Sequence, residues 1–113
     1  MKEDKIYLQH VLDSIKNIEN FIEDIEEKKF IKNILVQSAV IRQLEIIGEA
    51  VKKLSTDLKI RYKNIPWKDI AGLRNKLIHD YFGVDINLVW TICIKDIPEL
   101  KRWVSKIVKK NNR

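Results

Sequence analysis

An arginine, a histidine and a tyrosine stand close together in Arg74-Asn-Lys-Leu-Ile-His79-Asp-Tyr81. An α-helix turns roughly 100° per residue, so Asn75 and His79 share one face and Arg74 and Tyr81 another. Arg74 and His79 diverge by roughly 140° on an ideal helix, a gap that a long guanidinium side chain and a loosened last turn can close. A cation that keeps its proton beside an imidazole that can exchange one suits phosphate-ester chemistry. On spacing alone the same residues also fit a solvated helix end.

Metal-free RNA cleavage would use such a pair directly. The neighbouring 2′-hydroxyl attacks phosphorus, a base removes its proton, an acid protonates the leaving 5′-oxygen, and positive charge stabilises the phosphorane. Histidine can act as base or acid, and arginine offers directed donors to the non-bridging oxygens. The products would be a 2′,3′-cyclic phosphate, or the 3′-phosphate it hydrolyses to, and a 5′-hydroxyl. The motif holds one histidine per chain, so a two-fold dimer sharing one cleft would supply the second. No second histidine, cysteine or acidic set stands at metal-ligand spacing, and no metal or cofactor is expected.

The elements that must position these residues read as helices throughout. Apolar residues at Leu8, Val11, Ile15, Ile18, Ile22 and Ile25 follow the three-four spacing of a core-facing stripe. Val40, Leu44, Ile47, Val51 and Leu54 repeat it on a second helix expected over about 30–54. Gly48 inside that helix costs roughly 1 kcal/mol against alanine, which a close approach of another backbone would explain. Glu45 and Glu49 could orient a cation of the motif helix, or Glu49 could pair with Lys53 along its own helix.

Residues 55–65 lack periodicity and are expected to form a loop carrying Lys59, Arg61, Tyr62 and Lys63. A basic run with an interleaved aromatic can hold an RNA backbone and stack a base, or it can be a plain solvated connection. Pro66 suits the first turn of a third helix, whose stripe is Trp67, Ile70, Leu73 and Leu77 and which should end near Phe82, before Gly83. Asp85 can cap a fourth helix, in which Val89, Cys93, Ile97, Leu100, Val104 and Ile107 keep the spacing. Pro98 should kink or divide it. The expected fold is all-α, an up-and-down bundle of four to five helices in a single domain over 1–113.

The totals agree with that reading. A formal charge of +6 and a pI near 9.4 favour a polyanionic partner, RNA first, although a lysine-rich surface alone would give the same balance. Cys93, the one cysteine, sits in an apolar setting and is expected to be a small core residue. His10 reads as a helix-edge histidine. No apolar run approaches the roughly 20 residues of a membrane span, and the charged start is no signal peptide, so a cytoplasmic protein is expected.

Arg74-x4-His79-x-Tyr81 resembles the signature of the HepT-like toxins of the HEPN superfamily. The resemblance extends through Ile65-Pro-Trp-Lys-Asp-Ile-Ala-Gly-Leu73, Phe82-Gly-Val-Asp85 and Gly48-Glu-Ala-Val-Lys-Lys-Leu54, and so covers most of the chain. It implies a HEPN-like helical fold and a symmetric homodimer with its active site at the interface. It further implies a metal-independent endoribonuclease toxin with Arg74 and His79 as the catalytic pair and Asn75 in support. The implied neutralising partner is a minimal nucleotidyltransferase antitoxin that transfers AMP from ATP to Tyr81. A different class stays open beside it: a non-catalytic helical module that binds a nucleotidyltransferase or nucleotides.

Overall fold

The computed structural model describes residues 2–73, 75 and 85–111. Among them are α1 (Lys2–Ile22), α2 (Glu27–Lys32), α3 (Ile34–Lys52), α4 (Thr56–Arg61), α5 (Trp67–Ala71), α6 (Ile86–Thr91) and α7 (Ile97–Asn111). A π-helical segment, Ile92–Asp96, joins the last two into one rod. No strand occurs among the described residues. The described residues are all-α, as expected, with α1, α3 and the α6–α7 rod as long members and α2, α4 and α5 as short pieces that take the helix number above the expected four to five.

The predicted stripes make the core. Leu8, Val11, Ile15 and Ile18 of α1 are buried against Val40, Leu44, Ile47 and Val51 of α3. Leu100, Val104 and Ile107 of α7 close the same cluster from a third side. Each such side chain contributes roughly 1.5–3 kcal/mol by leaving water. Asp4 lies beside Ser55 and Asn17 beside Gln43, so α1 and α3 run antiparallel. Glu19 of α1 meets Lys101 of α7 at 2.9 Å, while Asp4 and Asn111 border one small cleft, so α1 and α7 are antiparallel as well.

The expected helix over 30–54 is in fact two. Asn33 closes α2 and opens α3 in an extended conformation, and its side chain accepts a hydrogen bond from the Val36 N–H at 3.1 Å. Buried Gln37 then donates through Nε2 to the Phe30 and Ile31 carbonyls, both at 2.8 Å. Those carbonyls lie in the last turn of α2, and that of Phe30 also accepts from the Asn33 N–H at 3.2 Å. The break therefore holds because a cap and a buried amide satisfy both helix ends.

The expected loop over 55–65 contains α4. Ser55 caps it, accepting from the Leu58 N–H at 3.2 Å, and buried Leu58 anchors it. Asp4, itself buried, accepts from the Ser55 N–H at 2.8 Å and from the Ser55 hydroxyl at 2.6 Å. Two polar residues far apart in sequence thus fix a short helix that periodicity does not show.

Pro66 also departs from expectation. Its φ of −78° and ψ of 68°, with the Trp67 N–H donating to the Ile65 carbonyl at 2.8 Å, are an inverse γ-turn. Pro66 therefore precedes the helix and turns the chain into it. At Pro98 the expected irregularity takes a definite form. Proline cannot donate to the carbonyl four residues back, and just before it the backbone widens. The Ile97 N–H donates to the Ile92 carbonyl, five residues back.

Candidate active site

Arg74, His79 and Tyr81 lie outside the described residues, as do Leu77, Phe82 and Gly83. Of the four predicted motif residues only Asn75 is described: its backbone is helical and it is exposed. What can be built is the frame on either side. Before the motif, Trp67 and Ile70 of α5 are buried, and the Trp67 indole N–H donates to the Tyr62 carbonyl at 3.1 Å. Gly72 follows Ala71 as the C-terminal cap, its N–H donating to the Lys68 carbonyl at 3.0 Å, and Leu73 is again helical.

Gly48 explains how α5 is seated. A Cβ at that position would lie 3.2 Å from the Ala71 carbonyl oxygen and 3.5 Å from that of Ile70. The hydrogen-only side chain lets the backbone of α3 touch the last turn of α5, as the interior glycine predicts. The contact is three residues from Arg74. After the motif, Asp85 caps α6 by accepting from the Leu88 N–H at 3.1 Å. Val89 is buried, and Trp90 packs on Phe30 with ring centroids 5.0 Å apart. The described residues on either side of the motif, up to Leu73 and from Asp85, thus belong to anchored elements.

The other predicted positions are distributed around this frame. Lys59 and Arg61 stand in the last turn of α4 rather than on a loop. Arg61 and Lys63 are exposed, Lys59 is half-buried, and Tyr62 packs against the core. Glu45 is half-buried on α3. Glu49 pairs with Lys52 at 3.7 Å rather than with Lys53, both side chains being about half exposed. Such an exposed pair contributes well under about 1 kcal/mol.

Two clefts flank α5 and α3. One, of about 230 Å³, lies between α5 and the α6–α7 rod; Leu73 and Trp103 line it, and Asp69, Asp96 and Glu99 give it a negative wall. The other, of about 170 Å³, lies between α1 and α3 and carries Arg42, Lys53, His10 and Tyr7. Neither was visible in the sequence, because each draws on residues far apart in the chain. Burial pushes the Cys93 thiol up to about 12, which fits a core residue and not a nucleophile. Among the described residues no three His, Cys, Asp or Glu side chains gather as metal ligands would. Nor is any described helix long and apolar enough to cross a membrane.

The Arg-x4-His-x-Tyr segment is flanked in sequence by anchored helices of an all-α frame. Residues 11–107 match the family described as "Ribonuclease HepT-like". The chain belongs to the HepT-like ribonuclease family. It is 47% identical over 105 residues to "Putative RNase MJ0125" of Methanocaldococcus jannaschii, covering 93% of this chain and 90% of that protein. It is 44% identical over 105 residues to "Probable ribonuclease HepT" of Thermococcus cleftensis, covering 93% of this chain and 96% of that one. A longer relative, "Gamma-glutamylcyclotransferase and putative RNase MJ0434" of M. jannaschii, is 46% identical over 117 residues; the match takes in 99% of this chain but 53% of that protein. No solved structure gives a significant match.

Proposed function

We propose that the chain is a metal-independent endoribonuclease and the toxin of a HEPN/nucleotidyltransferase pair. The observation that carries this reading is the intact Arg74-x4-His79-x-Tyr81 segment inside the stretch that matches the HepT-like family. Arg74 steadies the phosphorane charge, His79 moves the proton, and Asn75 supports the pair from the face it shares with His79. The site is completed by a second copy of the chain across a two-fold axis, which brings two imidazoles to one phosphate. The names of its relatives support RNA as the substrate.

The Tyr81 phenol is the acceptor for inhibition. Its oxygen attacks the α-phosphorus of ATP, the bond to pyrophosphate breaks, the phenolic proton is lost, and AMP stays esterified to the ring. A bulky anion two residues from His79 blocks the cleft and repels the substrate phosphate. Tyr81→Phe should stay toxic and gain no AMP in the presence of ATP and the antitoxin. An unchanged mass shift on that variant would remove Tyr81 as the acceptor.

Purified protein incubated with total RNA in EDTA tests the activity itself. Cleavage should persist in EDTA and fall by about 10²–10⁴-fold in Arg74→Ala or His79→Ala. Equal inertness of parent and variants would favour the non-catalytic binding module instead.

A further inference from the structure

The two clefts beside the motif frame differ in sign, and that difference decides which could carry a polyanion. The larger one presents Asp69, Asp96 and Glu99 and would repel phosphates. The α1–α3 groove presents two cations, Arg42 and Lys53, with Ile46 and Ala50 on the same helix. Its carboxylate, Glu49, pairs with Lys52 at 3.7 Å. Among the described residues no carboxylate lies within 4.0 Å of either Arg42 or Lys53.

The groove also has an aromatic side. Tyr7 and His10, one turn apart on α1, meet edge to face with ring centroids 5.9 Å apart. Lys53 places its ammonium 5.7 Å from the Tyr7 ring centre, within cation–π range. The ring thus helps to hold the Lys53 charge at the groove rather than leaving it to sweep through solvent. His10 is exposed. Two cations without a carboxylate partner among the described residues, beside two aromatic rings, are the elements with which proteins track single-stranded nucleic acid.

Its position leads toward the motif. Arg42, Ile46, Glu49 and Lys53 form one stripe along α3, roughly 120° round the helix from Gly48, which touches the end of α5. A strand leaving the groove would reach the α5 side of α3, where Ala71 lies three residues before Arg74 in sequence, after crossing about one helix width, ~10 Å. We infer that the groove formed by Tyr7, His10, Arg42 and Lys53 is an accessory site for the backbone of single-stranded RNA, holding the substrate on the flank of the cleavage site. The inference rests on the ribonuclease reading and adds to it a place where substrate is gripped away from the scissile bond.

The test is a fluorescent single-stranded RNA titrated over a salt series against full-length protein carrying Arg74→Ala and His79→Ala to prevent cutting. Adding Arg42→Ala and Lys53→Ala should weaken binding by about tenfold and make the log–log salt slope shallower by about 1.4, the loss of two phosphate contacts on a single strand. Restoring charge with Arg42→Lys and Lys53→Arg should bring affinity back to within about twofold. Removing two distant charges, Lys95→Ala and Lys106→Ala, should change both quantities less than the groove pair does. Unchanged affinity and slope in the groove variant would overturn the accessory site and leave the ribonuclease reading intact if the active parent still cuts RNA. Retained RNA affinity with loss of a co-purifying protein would make the groove a protein surface, which also overturns the inference. A parent with Arg74 and His79 in place that neither cuts nor binds RNA would remove the ribonuclease reading and the groove with it.

Discussion

Burial acts on Cys93 and Asp4 in different ways. The Cys93 thiol is pushed up to about 12 because the thiolate would lose its water. The unfolded chain releases that proton near an ordinary value of about 8.5. The raised group therefore leaves stability intact below that pH, and stability is lost as pH climbs toward 12. Urea midpoints should drop more between about pH 8 and about pH 10 for the parent than for Cys93→Val, which has no thiol to ionise. Parallel pH profiles would show that the thiol is accessible to water. Asp4 stabilises by accepting two hydrogen bonds from Ser55, which in turn caps α4. Asp4→Ala should cost about 2 kcal/mol. Lys101→Ala, which removes an ion pair whose side chains are about half exposed, should cost less than about 1 kcal/mol. Denaturation of the two variants side by side measures that contrast, and equal losses would contradict it.

At the scale of elements, the seat of α5 on α3 is what carries structure up to the motif. A Cβ at Gly48 would press within 3.2 Å of the Ala71 carbonyl oxygen, and a backbone oxygen cannot rotate aside as a side chain can. Gly48→Leu should destabilise by roughly 1–3 kcal/mol through overpacking. It should also reduce RNA cleavage more than Asp4→Ala does, since it displaces the turn that leads into Arg74. Cleavage rates compared at matched folded fraction check this. A Gly48→Leu protein with full activity would show that the motif is positioned from elsewhere. The Gly48 contact was legible in the sequence because an interior helical glycine costs stability unless a backbone needs the space. The stripes of α1, α3 and α7 were legible for a similar reason: periodicity records burial directly. The break at Asn33, the helix begun by Ser55 and the γ-turn at Pro66 were not. At Asn33 and Pro66 a single polar or ring residue acts through near neighbours, the Val36 N–H and the Trp67 indole bound to the Tyr62 carbonyl, which periodicity does not register. Ser55 depends on a distant partner, Asp4. Both clefts escaped for the same cause.

For the whole molecule, the catalytic account needs a second copy of the chain, because one protomer contributes one His79. Sedimentation should give a species of twice the 13.4 kDa chain mass, and a strictly monomeric yet active protein would contradict the shared cleft. Net charge acts at the same scale. On the proposed reading, the +6 charge should draw RNA in, and the placement of the cations should select the face on which it lies. The motif was the part of the site most legible in sequence, since Arg74, His79 and Tyr81 fall within about two turns of one predicted helix. A second protomer entered the sequence reading only through the single motif histidine and the family resemblance, as nothing in one chain's periodicity records a symmetry axis.

The most direct measurement is the chemistry of the cut ends, taken from a single RNA cleaved in EDTA. Attack by the neighbouring 2′-hydroxyl predicts a 2′,3′-cyclic phosphate or 3′-phosphate on one fragment and a 5′-hydroxyl on the other, with neither formed by Arg74→Ala/His79→Ala. Fragments bearing a 5′-phosphate and a 3′-hydroxyl, or cutting that stops when the metal is chelated, would contradict it.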